Sequence, residues 1–274
     1  MDPQQWQIVH REFGGQCKQG DIAPYVLVPG SKARTRRFAS LWDDARLMAD
    51  HHEFLIYSGT YEGIPLSVCS TGIGGTSVSV AIEELISLGG HTFIRVGVTG
   101  SLQRDIPVGM LTIASAAVRR DRTSCGFIPM AIPALASPEV TLALRSACIE
   151  KEFKFRIGIT ATSGTFYCGE GRPGYNGYSQ KWMEAIVSDF QQAGIIDWDT
   201  ETAALYAICL ARGVRAGRIN GVVDSVLGEA PDPSAEERAV EAALLGVSKL
   251  AAWDQENKPE SLSLSNPLKG EGMS

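Results

Sequence analysis

Residues 71–101 read TGIGGTSVSVAIEELISLGGHTFIRVGVTGS, and the order of glycines, hydroxyls and apolar runs within them decides the fold. The stretch parses as a strand end, a glycine turn, a helix, a second strand and a second glycine turn. Gly72, Gly74 and Gly75 close the first turn without Cβ clashes, and the Thr76 and Ser77 hydroxyls are placed to cap a helix that starts near Val78. Val80, Leu85 and Leu88 give that helix its apolar face, while Glu83 and Glu84 point elsewhere. Residues 93–98, FIRVGV, form a short apolar run with Arg95 inside it, and Thr99-Gly100-Ser101 follow at its carboxyl end. A charge in such a run is costly unless an opposite charge meets it. In open α/β sheets, ligands gather at the carboxyl ends of strands, where loop N–H groups, hydroxyls and a cation hold a phosphate or a polar ring. Arg95 is therefore either an anion contact or the structural partner of a buried carboxylate.

Towards the amino terminus, residues 25–28 (YVLV) form an apolar strand ending in Pro29-Gly30-Ser31-Lys32-Ala33-Arg34, a turn followed by a basic helix start. Glycine and arginine again meet at a strand end, a second candidate anion contact, whereas Arg36 and Arg37 read as solvated helix charges. His51-His52-Glu53 precede a hairpin-like pair of strands over residues 55–70. Two histidines and a glutamate suggest a metal, but neighbours on a strand face opposite ways and no further ligand lies nearby, so no catalytic metal is expected.

Towards the carboxyl terminus, strands are expected over residues 110–117, 154–162, 195–202 and 214–223, and helices over 139–152, 181–194, 203–212 and 235–253. Between them lies SGTFYCGEGR, residues 163–172. Phe166, Glu170 and Arg172 at i, i+4 and i+6 on a glycine-rich loop suit a flat heterocycle: a ring to stack on and two polar groups for its edge. Asp197, Asp199 and Glu201 alternate and share a face, with Glu201 at the handover to a helix, where a carboxylate accepts hydrogen bonds from a sugar diol or serves the helix N-terminus. Strands alternating with helices, with no repeat and no dividing linker, argue for one α/β domain with a central sheet over residues 22–254. Residues 1–21 read as a polar lead-in carrying His10, and 255–274 as a polar, disordered tail.

Composition bounds the partners. A net charge of −6 argues against nucleic acid, and no apolar run approaches a membrane span. The polar start MDPQQWQ is unlike a signal peptide. Six scattered cysteines without a CxxC suggest neither zinc nor disulfides and a reduced, cytoplasmic setting.

Val28-Pro29-Gly30, residues 70–75, Arg95 with Thr99-Gly100, residues 158–167 and Glu201-Thr202-Ala203, taken in this order, resemble the nucleoside phosphorylase superfamily, nearest its uridine-cleaving branch through the 165–172 loop. The resemblance spans about residues 10–253. It implies a central mixed, barrel-like sheet flanked by helices. It also implies phosphorolysis of a nucleoside, with inorganic phosphate as co-substrate and no organic cofactor. Gly30, Arg34, Arg95 and Thr99 would bind phosphate, helped by His52; His10, Thr200 and Glu201 would bind the sugar; Phe166, Glu170, Arg172 and Asp224 would bind the base. Glu53, Ile73 and Ser77 match positions that hold a monovalent cation, K+, between subunits, and His10 and His52 would work across that interface, in a homodimer or a trimer of dimers.

The departures leave the base and the reaction open. His52 stands where the resemblance expects a phosphate-binding arginine, Val98 where it expects threonine, and Thr200 where it expects methionine. Glu170 replaces a glutamine that reads the uracil edge. A carboxylate only accepts hydrogen bonds, so either Glu170 is protonated and mimics the amide, or the base presents two N–H donors, as guanine does. Asp224 matches an aspartate that protonates the base in purine-cleaving relatives, and Val226 stands near the place of an arginine of uridine enzymes. Three activities remain: uridine phosphorolysis, purine nucleoside (guanosine or inosine) phosphorolysis, and hydrolysis on the same scaffold. A nucleoside-binding protein without turnover is the non-enzymatic alternative.

Overall fold

A computed structural model describes residues 17–225, 228 and 230–256. Among the described residues the strands are β1 (Tyr25–Leu27), β2 (Arg46–His51), β3 (Phe54–Tyr61), β4 (Ile64–Cys69), β5 (Thr92–Ser101), β6 (Leu111–Arg120), β7 (Ala134–Leu135), β8 (Phe155–Ser163), β9 (Asp197–Asp199) and β10 (Arg215–Ser225). The helices are α1 (Lys32–Ala39), α2 (Gly75–Ser87), α3 (Pro138–Glu150), α4 (Lys181–Gln192), α5 (Thr202–Arg212) and α6 (Ser234–Gln255). This is an α/β domain, as the alternation of patterns predicts.

The apolar run around Arg95 becomes the central strand β5. On one side β5 pairs in parallel with β10 along its whole length. From there the sheet continues through β6, β8 and β9, and β9 returns to β5 at the Ser101–Asp197 pair, closing a five-stranded mixed barrel. On its other side β5 pairs with β1 over Thr92, Phe93 and Ile94, and β1 leads outward through β4 and β3 to β2. Residues 95–100 of β5 thus lie between two partners, past β1 and short of β9. The sheet splits there, and the split exposes strand-borne side chains at the carboxyl ends of β1, β4, β5 and β10, which run parallel to one another.

Apolar faces of the helices cover both sides of this sheet. One core layer joins Val78, Ile82 and Leu85 of α2 to Leu205, Tyr206 and Ile208 of α5. The other joins Val140 and Leu144 of α3 to Val240, Leu244 and Val247 of α6. Among the described residues no helix is long and apolar enough to cross a membrane, and all six cysteines are free.

Three expectations need correction. First, α2 begins at Gly75 with Gly74 as its cap, and no side chain caps it. Ser77 instead donates to the Thr71 carbonyl and to Glu53, and Thr76 meets Thr123, because Gly72 (φ +70°) and Gly74 (φ +94°) turn the chain left-handed ahead of the helix. Second, Glu84, set apart from the apolar face, is itself buried. Third, residues 46–51 form β2, a strand the polar sequence ARLMADH did not suggest.

Candidate active site

A cavity of about 350 Å³ opens at the split in the sheet. One wall is made by Gly30, Arg34, Arg95 and Thr99, with Ser31, Gly72 and Val98; its floor by Asp199, Thr200 and Glu201; its far wall by Phe166, Glu170, Arg172 and Asp224. Residues up to 194 positions apart in sequence (Gly30 and Asp224) therefore meet around one space.

Arg95 is 7 % exposed, and it meets buried carboxylates, as the structural reading of it expects. One terminal nitrogen, Nη2, donates to Glu201, and Nε lies 3.7 Å from Asp199. Nε and Nη1 have no hydrogen-bond partner among the described residues, although both are buried. Unpaired guanidinium donors at a cavity wall are a place for an oxyanion. Gly30 keeps the approach clear: a Cβ there would stand 3.9–4.0 Å from the Arg95 terminal nitrogens and 3.4 Å from the Gly72 carbonyl. Arg34 arrives from the first turn of α1, after Ser31 caps that helix by accepting from the Arg34 N–H at 3.3 Å. Its Nε donates to Glu236 of α6 at 2.7 Å, so Arg34 reaches the cavity already half engaged. The Thr99 hydroxyl donates to the Trp198 carbonyl at 2.5 Å and helps hold β9 against β5.

Glu201 is 2 % exposed and sits between two helices. Its Oε1 accepts from the Gly74 N–H at 2.7 Å, at the start of α2, and from the Thr200 hydroxyl; its Oε2 accepts from Arg95 and from the Thr200 N–H at 3.3 Å. The positive end of α2 and the Arg95 guanidinium both face this carboxyl group. Behind it, Asp199 caps α5 by accepting from the Thr202 N–H at 3.1 Å and accepts from the Thr162 hydroxyl at 2.7 Å. Asp197 shares this face but lies deeper and does not line the cavity: it and Asp199 both meet the fully buried Arg218, at 2.8 and 3.9 Å. Arg218 gave no such signal in the sequence, because its strand also carries Arg215 and is not a lone-charge run like that around Arg95.

The far wall rests largely on one loop. The Arg172 guanidinium lies 4.3 Å from the Phe166 ring centroid, 3.2 Å from Asp224 and 3.7 Å from Glu170. Glu170 is 5 % exposed, and among the described residues no group donates a hydrogen bond to its carboxyl. Burial pushes its pKa up to about 8; Arg172 opposes this, and the negative charges of Asp199, Glu201 and Asp224 add to it. Gly169 allows the loop to turn tightly, since a Cβ there would overlap the Ser163 and Thr165 hydroxyls.

Three expected residues do not line the cavity. His52 occupies the turn between β2 and β3 with a positive φ of 47°. Glu53 and Ser77 stand behind Gly72, joined by a 2.6 Å hydrogen bond that holds the Glu53 carboxyl below its usual pKa. Ile73, grouped with them, is on the cavity rim and 80 % exposed. His10 lies outside the described residues. Among the described residues no group of three or more His, Cys, Asp or Glu side chains is arranged to hold a metal.

Comparison with known proteins places the chain among its relatives. The family model of the Phosphorylase superfamily matches residues 24–252. The chain is similar to a uridine phosphorylase of Thermococcus kodakarensis, with 44% identity over 88% of this chain and 87% of the relative. It is similar to a uridine phosphorylase of Haemophilus influenzae at 36% identity, over 83% and 93% of the two chains. A guanosine phosphorylase of Halorubrum lacusprofundi is 30% identical over 74% and 78%.

Proposed function

The chain belongs to the phosphorylase superfamily, and from that premise we propose that it is a uridine phosphorylase, a pentosyltransferase that cleaves uridine with inorganic phosphate to give uracil and ribose 1-phosphate. One observation carries the reading: a single cavity joins a buried arginine with unpaired donors, a helix-held carboxylate and a ring–guanidinium pair. These are the contacts needed by a phosphate, a sugar diol and a planar base placed side by side.

In this reading Arg95, Arg34, Thr99 and the open backbone at Gly30 hold the phosphate beneath C1′ of the ribose. Glu201 accepts from the ribose hydroxyls, the Thr200 hydroxyl giving way to them, and His10 approaches the sugar from a neighbouring subunit. Phe166 stacks on uracil, Arg172 donates to a ring carbonyl, and Glu170 carries its proton, so that it offers one donor and one acceptor as an amide does. As the C1′–N1 bond lengthens, positive charge grows on the sugar and negative charge on the departing base. Clamped phosphate stabilises the first, and donors at the base edge stabilise the second. Attack by the phosphate oxygen on C1′ completes the exchange, with the proton taken up by uracil at N1.

The rest of the reading concerns assembly. His52 serves the phosphate of a second subunit, which makes the working unit at least a homodimer, alone or as a trimer of dimers. Glu53, Ser77 and the Ile73 backbone supply oxygen donors of the kind a hard cation takes, but too few from one chain, so a K+ ion there would be shared between subunits. Residues 22–254 form the catalytic domain and the enzyme is cytoplasmic, in keeping with six free thiols.

A second reading has its own observation. Asp224, 3.2 Å from Arg172, gives the base wall a second carboxylate, and the guanosine phosphorylase relative makes guanosine the competing substrate. Chromatographic release of free base from uridine and guanosine, each with and without phosphate, tests both. Phosphate-dependent uracil release is expected. Release without phosphate would make the enzyme a hydrolase, and guanine without uracil would exchange the two readings.

A further inference from the structure

We propose that the base end of the cavity serves two substrates, a uracil nucleoside when the Glu170 carboxyl carries its proton and a 2-amino-6-oxopurine nucleoside when it does not. The proposal rests on the phosphorolytic reading above and adds a second base to it.

Glu170 is nearly buried, yet among the described residues it receives no hydrogen bond, and its one close cation, Arg172 at 3.7 Å, is beyond hydrogen-bond range. A buried carboxyl left in this state is completed by whatever base edge meets it. As the neutral acid it has an O–H donor beside a carbonyl acceptor, which fits a uracil carbonyl and N3–H. As the anion it has two acceptors, which fit the N1–H and 2-amino group of guanine. In both bases a carbonyl lies next to the ring N–H, within reach of the same Arg172 fork. The larger purine has room on the solvent side, where Phe166 is 51 % exposed and the Asp224 side chain 56 %.

The charges around Glu170 leave both states within reach. Asp199 of β9, Glu201 at the start of α5 and Asp224 of β10 disfavour the anion, and Arg172 on the same loop favours it. Arg120 of β6 donates to the Gly169 carbonyl at 3.4 Å, and α4 faces Gly171 with the apolar Ile186 and Val187 side chains and the Met183 backbone carbonyl. The anion formed on guanine binding releases its proton to solvent. The reaction then runs as for uridine: the C1′–N9 bond breaks, a phosphate oxygen takes C1′, and guanine leaves protonated.

The test is kcat/KM for uridine and guanosine at saturating phosphate between about pH 6 and pH 8.5, in wild type and in Glu170→Gln. Phosphate ionisation cancels in the ratio of the two substrates. The guanosine-to-uridine ratio in wild type should rise about tenfold per pH unit, because it follows the ratio of ionised to neutral carboxyl. In Glu170→Gln it should be flat and at least about tenfold lower at the alkaline end, and inosine, which lacks the 2-amino group, should trail guanosine in wild type by about tenfold or more. Uridine cleavage without guanosine cleavage at any pH, a flat wild-type ratio, or the same slope in the variant would overturn the proposal while leaving the uridine reading intact. Absence of uridine cleavage would remove both. Should the variant fail to fold, calorimetry on wild type decides: free guanine should bind with release of a proton near neutral pH and uracil without one, and equal proton release would refute the assignment.

Discussion

At one end of the cavity Arg95, Asp199 and Glu201 project from the central strand, a three-residue strand and a helix start; at the other, Phe166, Glu170 and Arg172 share one loop. Each Glu201 oxygen already accepts two protein hydrogen bonds, whereas the Glu170 carboxyl accepts none among the described residues. The first end is fixed by backbone pairing and helix ends before any ligand arrives, and the second is completed by the ligand. Such a division suits an enzyme whose phosphate and pentose are constant and whose base is the variable part. Chemistry should therefore fail when the strand-borne end is cut, and selectivity should shift when the loop is cut.

The largest effect should come from Arg95→Ala. Removing a donor set aimed at developing charge costs about a hundredfold to a thousandfold in kcat/KM, and near-normal phosphorolysis would take Arg95 out of the phosphate site. Second, Arg218→Met inside the barrel should destabilise by about 3–5 kcal/mol, because the buried Asp197 loses its cationic partner. Adding Asp197→Asn should restore most of that loss in a denaturant melt. If the single variant unfolds no more easily than wild type, the barrel interior does not support the strand-borne end as described.

How far the two ends could be read from the sequence differs for a physical reason. Arg95, Gly30 and Glu201 were legible because a lone charge in an apolar strand, a glycine at a strand end and a carboxylate at a helix start each leave a local mark. The alternation of strands and helices likewise gave the α/β domain. The split of the sheet between β1 and β9 left no such mark, since it depends on which distant strands pair with each half of β5. Asp197 and Asp199 alternate as though equivalent and both meet Arg218, yet only Asp199 also accepts from the Thr202 N–H and lines the cavity. Phe166, Glu170 and Arg172 were legible as a group by their spacing, but the burial that raises the Glu170 pKa, and the charges on β9, β10 and at the start of α5 that add to it, leave no mark in the loop's own sequence.

That burial yields a third prediction. In the folded protein the Glu170 pKa is raised to about 8, above its value in the unfolded chain. The folded state therefore holds a proton that the unfolded state has released, and stability from this group is full below about pH 4 and lost as pH rises through about 8. Glu170→Gln keeps the shape and removes the titration. Its Tm should exceed that of wild type by an amount that grows from about pH 5 and levels off above about pH 8, reaching several degrees. A Tm difference independent of pH would mean that the carboxyl is solvated and that the loop end is less enclosed than drawn here.

The smallest effect is expected at Phe166, where the two ends are separated most cleanly. Its ring is half exposed and carries the Arg172 guanidinium on its face at 4.3 Å, with Tyr167 edge-on at 5.3 Å. Truncation to Ala removes a stacking surface for the base and loosens Arg172, contacts worth about 1–1.5 kcal/mol together. Since stacking holds the base in the ground state and the transition state alike, KM for uridine should rise about fivefold to tenfold with kcat nearly unchanged. Thermal stability should stay within about 0.5 kcal/mol of wild type, as for other exposed positions. A fall in kcat with KM preserved would blur the division, because it would mean that the ring holds Arg172 in place against the charge that builds on the leaving base.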